Sequence, residues 1–172
     1  MPTAPRKTAR LALPKTTRPA GKPVRDSQTD MCEVVLPNDA NPMGTALGGT
    51  IMHWVDLAGA VAANRHTGSY VVTASVDHMD FRCPIRVGEL VILQASVNRV
   101  FRTSLEVGVK VFREHPFSGL REHASSAYLT FVAVNTQGKP HPIPPVIPKT
   151  SEEKRRYREA GRRRSRRMEQ RG

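Results

Sequence analysis

The chain has 172 residues, with 27 Lys and Arg against 15 Asp and Glu, a formal net charge of +12. Residues 1–30 hold seven basic and two acidic side chains, residues 149–172 eleven and four, and residues 31–148 nine of each. The excess therefore describes two basic tails around a neutral domain, and the overall charge does not make that domain a nucleic-acid binder. No apolar run approaches the ~18 residues of a membrane span. Two cysteines, Cys32 and Cys83, without metal-ligand spacing exclude a disulfide scaffold and a structural zinc site, and fit a cytoplasmic location.

Residues 1–30 read as a disordered basic tail, polar and rich in proline. The first 25 residues hold no acid, as in an organellar leader, but Pro2, Pro5, Pro14, Pro19 and Pro23 break the helix such a leader needs. Order is expected to begin at Met31–Leu36, a short strand stopped by Pro37. A loop follows over 38–44, rich in Asn, Asp, Pro and Gly. Gly48–His66 predicts one long helix with Gly68 as its C-cap. Apolar residues surround it on nearly every side, so it is expected to be buried all round.

Everything beyond reads as strand, over Tyr70–Phe81, Leu90–Phe101, Leu105–Val111 and Ala124–Val134. One long helix followed by four long strands predicts an α+β fold, an antiparallel sheet wrapped around a single helix. Five prolines between 140 and 148 close the domain, placed at 31–148. Residues 149–172 are a basic C-terminal tail in which a helix starts at Ser151. The tails are expected to attract nucleic acid only weakly, since Tyr157 is the one aromatic residue in the C-terminal tail that could stack on a base.

Asp56 is out of place in the middle of an apolar helix. A carboxylate there is expensive unless it is paired or working, and no Lys or Arg lies at i±3 or i±4. It reads either as bonded to a strand or as a general base or nucleophile. Gly48-Gly49 opens the same helix, leaving N–H groups at its positive end that can hold a carbonyl oxygen as it becomes charged. Asn41, in the preceding loop, can hold a carbonyl or a water. Gly48 and Asp56 are eight residues apart, roughly 12 Å along the axis. One carbonyl cannot touch both on a single helix, so a shared reaction centre requires two subunits. His53 and Asp56, at i,i+3, lack a third metal ligand, and no metal site is expected.

Asp39–Met52, followed by Trp54–Ala60, resembles the hotdog-fold acyl-CoA thioesterases, closest to the cytosolic branch shared by bacteria and animal brain. Val72–Asp77, Val87–Glu89 and Gly138–Pro140 are similar to that branch as well. The resemblance implies the hotdog fold, hydrolysis of acyl-CoA to a fatty acid and coenzyme A, and catalysis by Asp56 and Asn41. It implies no cofactor, coenzyme A being part of the substrate, and a homo-oligomer, at least a dimer and a hexamer as a trimer of dimers. Many relatives carry His before the paired glycines, where this chain has Leu47. The thioester oxygen is expected at Gly48, with Gly49 beside it. Asp56 of the neighbouring subunit then deprotonates a water or attacks to give an anhydride. Arg102-Thr103-Ser104 is the first candidate for the coenzyme A phosphates, with Arg82 and Arg99 as alternates.

Two other functions are consistent with the same fold. A hydratase or dehydratase would want a catalytic His paired with an acid, and residues 41–49 contain none. A non-enzymatic acyl-CoA sensor with nucleic-acid-binding tails would want a helix-turn-helix, for which neither tail has the apolar spacing.

Overall fold

The structure is a computed structural model that describes residues 20–170. Its elements, in chain order, are β1 (Lys22–Pro23), β2 (Thr29–Val34), α1 (Gly48–Thr67), β3 (Tyr70–Val76), β4 (Leu90–Val100), β5 (Ser104–Glu114), β6 (Arg121–Val134), β7 (Val146–Ile147) and α2 (Ser151–Glu169). Five strands form one antiparallel sheet in the order β2-β4-β5-β6-β3, and β1 pairs with β7 in a small parallel ribbon.

Alternation along the long strands gives the sheet two different faces. Leu93 and Val97 of β4, Leu105, Val107, Val109 and Val111 of β5, and Leu129 and Phe131 of β6 are buried in the core. Ile51, Trp54, Val55, Ala58, Ala62 and Ala63 of α1 are buried with them. Register shifts at Thr73/Ser75, Val97/Arg99 and Val111/Phe112 mark bulges. Bulges bend strands and increase twist, which lets the sheet curl around the helix. This is the hotdog arrangement that the resemblance implies. At the end of α1, Gly68 takes φ +66°, and its N–H donates to the Asn64 carbonyl at 2.8 Å, the predicted cap.

Four expectations need correction. Residues 20–30 belong to the fold rather than to a tail. The Lys22 Nζ donates to the His66 carbonyl at 2.8 Å, Val24 and Ser27 are buried, and the Ser27 hydroxyl accepts from the Val97 N–H at 3.0 Å. Residues 1–19 of the expected tail lie outside the described residues. Second, α1 is not buried all round. Met52, Leu57 and Val61 are 48, 43 and 39 % exposed, because one curled sheet covers only one side of a helix. Third, β3 stops at Val76, and residues 77–89 form a loop instead of continuing the strand to Phe81.

The fourth correction concerns the C-terminal tail, which is a 19-residue helix docked on the sheet's outer face. Thr150 caps it, its Oγ1 accepting from the Glu153 N–H at 3.1 Å while Glu153 Oε2 accepts from the Thr150 N–H at 3.0 Å. Arginine holds it in place. Arg163 donates twice to the fully buried Glu106 carboxylate, at 2.7 and 3.1 Å, with its guanidinium over the Tyr128 ring. Asn98, the extra residue of the β4 bulge, donates to the same carboxylate at 3.0 Å. Arg156 reaches Ser96, Arg164 reaches Ser104, and Arg167 pairs with Asp77. Gly161 lets the helix lie on Arg99, since a Cβ there would fall 2.2 Å from Arg99 Nη1. No helix among the described residues is long and apolar enough to cross a membrane.

Candidate active site

The loop before α1 is tied down at both ends. The N–H groups of Ala46 and Val87 donate to the carbonyls of Ile85 and Gly44, and the Leu47 N–H donates to the Asp39 carbonyl. Asn41 organises its middle. Its Oδ1 accepts from the Met43 N–H at 2.9 Å and the Thr45 N–H at 3.3 Å, and its Nδ2 donates to Thr45 Oγ1 at 2.9 Å. An amide nitrogen carries two donors, so one hydrogen of Asn41 is left for a carbonyl or a water.

Leu47 occupies the N-cap of α1 and supplies no side-chain cap. The exposed first turn, with Gly48 and Gly49, therefore presents N–H groups at the positive end of the helix. Phe81 lies beside Gly48, its Cζ 3.5 Å from where a Cβ would sit. An open cavity of about 290 Å³ lies there, lined by Gly48, Ile51, Phe81, Arg82, Cys83 and Ile85. Burial pushes the Cys83 thiol above its ordinary pKa, which keeps it protonated and a poor nucleophile.

Asp56 sits two turns further along α1, half-buried between the covered and uncovered faces. Its Oδ1 accepts a hydrogen bond from Thr73 Oγ1 at 2.7 Å. The carboxylate thus has a strand partner, the first of its two sequence readings, and its other oxygen is left to bind a water. Thr73 lies just before the β3 bulge, in the edge strand of the sheet. Sequence reasoning saw Thr73 only inside a family motif, because nothing in the pattern of a strand says which residue reaches across to a helix. Among the described residues, no third His, Cys, Asp or Glu joins His53 and Asp56 to make a metal-binding cluster.

The phosphate-binding candidates separate in the fold. Arg82 lines the Gly48 cavity, its Nη1 donating to His123 Nδ1 at 3.5 Å. Arg102-Thr103-Ser104 forms the β4–β5 turn, at the Thr73 end of the sheet, where Leu105 pairs with Phe131 and Phe131 with Thr73. Ser104 is engaged by Arg164 at 3.1 Å, while Arg102 is exposed. Arg99 is corrected. It lies under α2, stacked on Tyr157 at 4.5 Å and bonded to the Tyr157 carbonyl, so it serves packing rather than a ligand phosphate.

Comparison with known proteins agrees with this geometry. The thioesterase superfamily profile matches residues 43–116. The chain is 41 % identical over 129 residues to the uncharacterized acyl-CoA thioester hydrolase YkhA of Bacillus subtilis, covering 75 % of each chain. A crystal structure of an apo-hexameric acyl-CoA thioesterase superposes with a TM-score of 0.84 at 40 % identity, covering 88 % of this chain and 97 % of that one. An acyl-CoA hydrolase of Staphylococcus aureus, solved with butyryl coenzyme A, coenzyme A and coenzyme A disulfide, gives 0.82 at 37 % identity, covering 87 % and 92 %. Structures of that enzyme also exist with an aspartate, an asparagine or a threonine replaced by alanine. There, fifteen residues separate the asparagine from the aspartate and seventeen the aspartate from the threonine, the spacings of Asn41, Asp56 and Thr73 here. In sequence, in fold and in the spacing of these three polar side chains, the chain belongs to the thioesterase superfamily, among the hotdog-fold acyl-CoA thioesterases.

Proposed function

We propose that the protein hydrolyses acyl-CoA to the free carboxylic acid and coenzyme A, at sites built from two copies of the chain. The reading rests on one observation above all. The helix N-terminus and the carboxylate lie on the same rigid helix, roughly 12 Å apart at 1.5 Å per residue, so each needs the other from a partner. Support for such a partner comes from the uncovered side of α1 and from β3, an edge strand with Tyr70, Val72 and Val76 exposed. The hexameric relative makes a trimer of such dimers the assembly we assign.

The thioester oxygen accepts from the Gly48 N–H, with Gly49 beside it, where the helix end stabilises the charge that develops on attack. The free amide hydrogen of Asn41 positions the carbonyl or the water. Asp56 of the other protomer takes the water's proton, and Thr73 holds the carboxylate in the orientation that does so. The tetrahedral adduct collapses with expulsion of the coenzyme A thiolate, and Asp56 hands on to it the proton taken from the water, which restores the carboxylate. Coenzyme A comes and goes as part of the substrate. Arg82 beside the cavity and Arg102 in the exposed turn are the cations available to its phosphates. Sequence relatives named as cytosolic acyl-CoA thioester hydrolases and the two free cysteines fit a cytoplasmic protein.

The test is release of free thiol from acyl-CoAs of increasing chain length. Asp56→Asn keeps the size and the Thr73 contact but cannot take a proton, and kcat is expected to fall about 100-fold or more. Thr73→Val should lower kcat by a smaller factor with KM little changed, because it disturbs only the orientation of the base. Near-normal turnover by Asp56→Asn would overturn the assignment.

A further inference from the structure

The basic residues of α2 fall into two sets. Arg156, Arg163, Arg164 and Arg167 point at the sheet and are engaged there. Lys154, Arg158, Arg162 and Arg166 are exposed, and among the described residues none has a hydrogen-bonding or ion-pair partner for its side chain. Successive members are four residues apart, about 6 Å along the axis and about 40° around it. They form one slanting row roughly 18 Å long. Like charges at i,i+4 destabilise a helix by a few tenths of a kcal/mol each, yet here four follow one another, on a helix whose opposite face is fastened to the sheet.

From this row we propose a docking surface for the backbone of a duplex nucleic acid. The 6 Å step is close to the rise of two phosphates of one strand along the duplex axis, at about 3.4 Å each. A helix that lies in a membrane surface puts Trp, Phe or Leu into the lipid. On α2 the exposed large apolar side chain is Met168 alone, while Tyr157 and Ala160 face the sheet. A protein partner would want an apolar or aromatic centre, which the row lacks. Single-strand binders use aromatic platforms for unpaired bases, and none stands beside these cations. What remains is contact with phosphates whose bases are stacked away, without sequence preference.

The test measures binding of the full chain to a fluorescein-labelled 20-base-pair DNA duplex by anisotropy, from 50 to 200 mM KCl. Four released counterions contribute about −3.6 to the slope of log K against log salt, on top of any contribution from the rest of the chain. Replacing Lys154, Arg158, Arg162 and Arg166 together by Ala should make the slope shallower by about that amount and weaken binding at least about tenfold at 50 mM. Arg158→Lys, Arg162→Lys and Arg166→Lys together should keep both slope and affinity, since the charges persist. Unchanged acyl-CoA turnover shows that the variants fold, none of the four residues lying in the proposed site. An unchanged slope in the alanine variant, or no duplex binding at 50 mM, overturns the proposal. Tighter binding to phosphatidylserine vesicles or to a 20-nucleotide single strand than to the duplex also overturns it, in favour of a lipid surface or unpaired nucleic acid.

Discussion

The Asp56–Thr73 contact shows how one hydrogen bond changes the reading of a residue. A carboxylate among Val55, Leu57 and Ala58 looks stranded on a helical wheel, but the edge strand supplies a donor at 2.7 Å, and the uncovered side of α1 leaves it in contact with solvent. Asn41 and Gly48 stand out as candidates in the sequence because an amide in a turn and paired glycines at a helix start have recognisable chemistry. Thr73 was not, since its role exists only once the strand lies against the helix. His66 was missed for the same reason. It reads as part of a solvated helix end, yet it is fully buried, with Nε2 donating to the Pro144 carbonyl at 2.9 Å. Burial holds its pKa below 6.5, and nearby Lys22 acts in the same direction, while the bond to Pro144 opposes them. The folded state therefore keeps this ring neutral where the unfolded chain protonates it. Its contribution to stability is intact above about 6.5 and declines as pH falls from there toward the folded-state pKa. Thermal melts should show a lower Tm at pH 5 than at pH 7.5, and the difference should shrink in His66→Gln. An equal pH dependence in both proteins would contradict the assignment.

Among the elements, α1 and the four long strands were legible, because apolar periodicity reports what a core requires. The 20-residue helix runs from Gly48 to Thr67, within a residue of its predicted end. Two features had no such signal. The β1–β7 ribbon is two residues long on each side, too short for any period. The inward face of α2 is made largely of arginine, and a hydrophobic pattern cannot see a helix docked by ion pairs and hydrogen bonds. That docking should be strong where it is driest. Arg163→Ala would leave the Glu106 carboxylate buried and short of its cation, which costs about 3–5 kcal/mol for buried pairs. Arg163→Met combined with Glu106→Met removes both charges and should recover most of that loss. Urea midpoints measure both, and a double variant no more stable than Arg163→Ala would show that the loss is not the cost of an unpaired buried carboxylate. At the far end of α2, Arg167 grips Asp77, the first residue of the loop that carries Phe81 and Arg82 to the Gly48 cavity. Helix α2 is thus tied to the loop that lines the proposed site.

For the whole molecule, the single chain is unfinished. It leaves an apolar side of α1 and an unpaired edge at β3 exposed together, and it separates the proposed oxyanion site at Gly48 from Asp56 along one helix. The proposed pairing of two copies would resolve all three at once, each copy contributing by two-fold symmetry both halves to different sites. The central claim is that sharing. The direct measurement mixes two inactive variants, Asn41→Ala and Asp56→Ala, unfolds them together and refolds them. In a hybrid dimer, one site combines an intact Asn41 with an intact Asp56, and the other lacks both. With half of the dimers hybrid and one good site of two in each, thiol release should recover to about a quarter of the wild-type rate. No recovery, in a sample shown to have exchanged subunits, would place Asn41 and Asp56 in one chain's site and contradict the account.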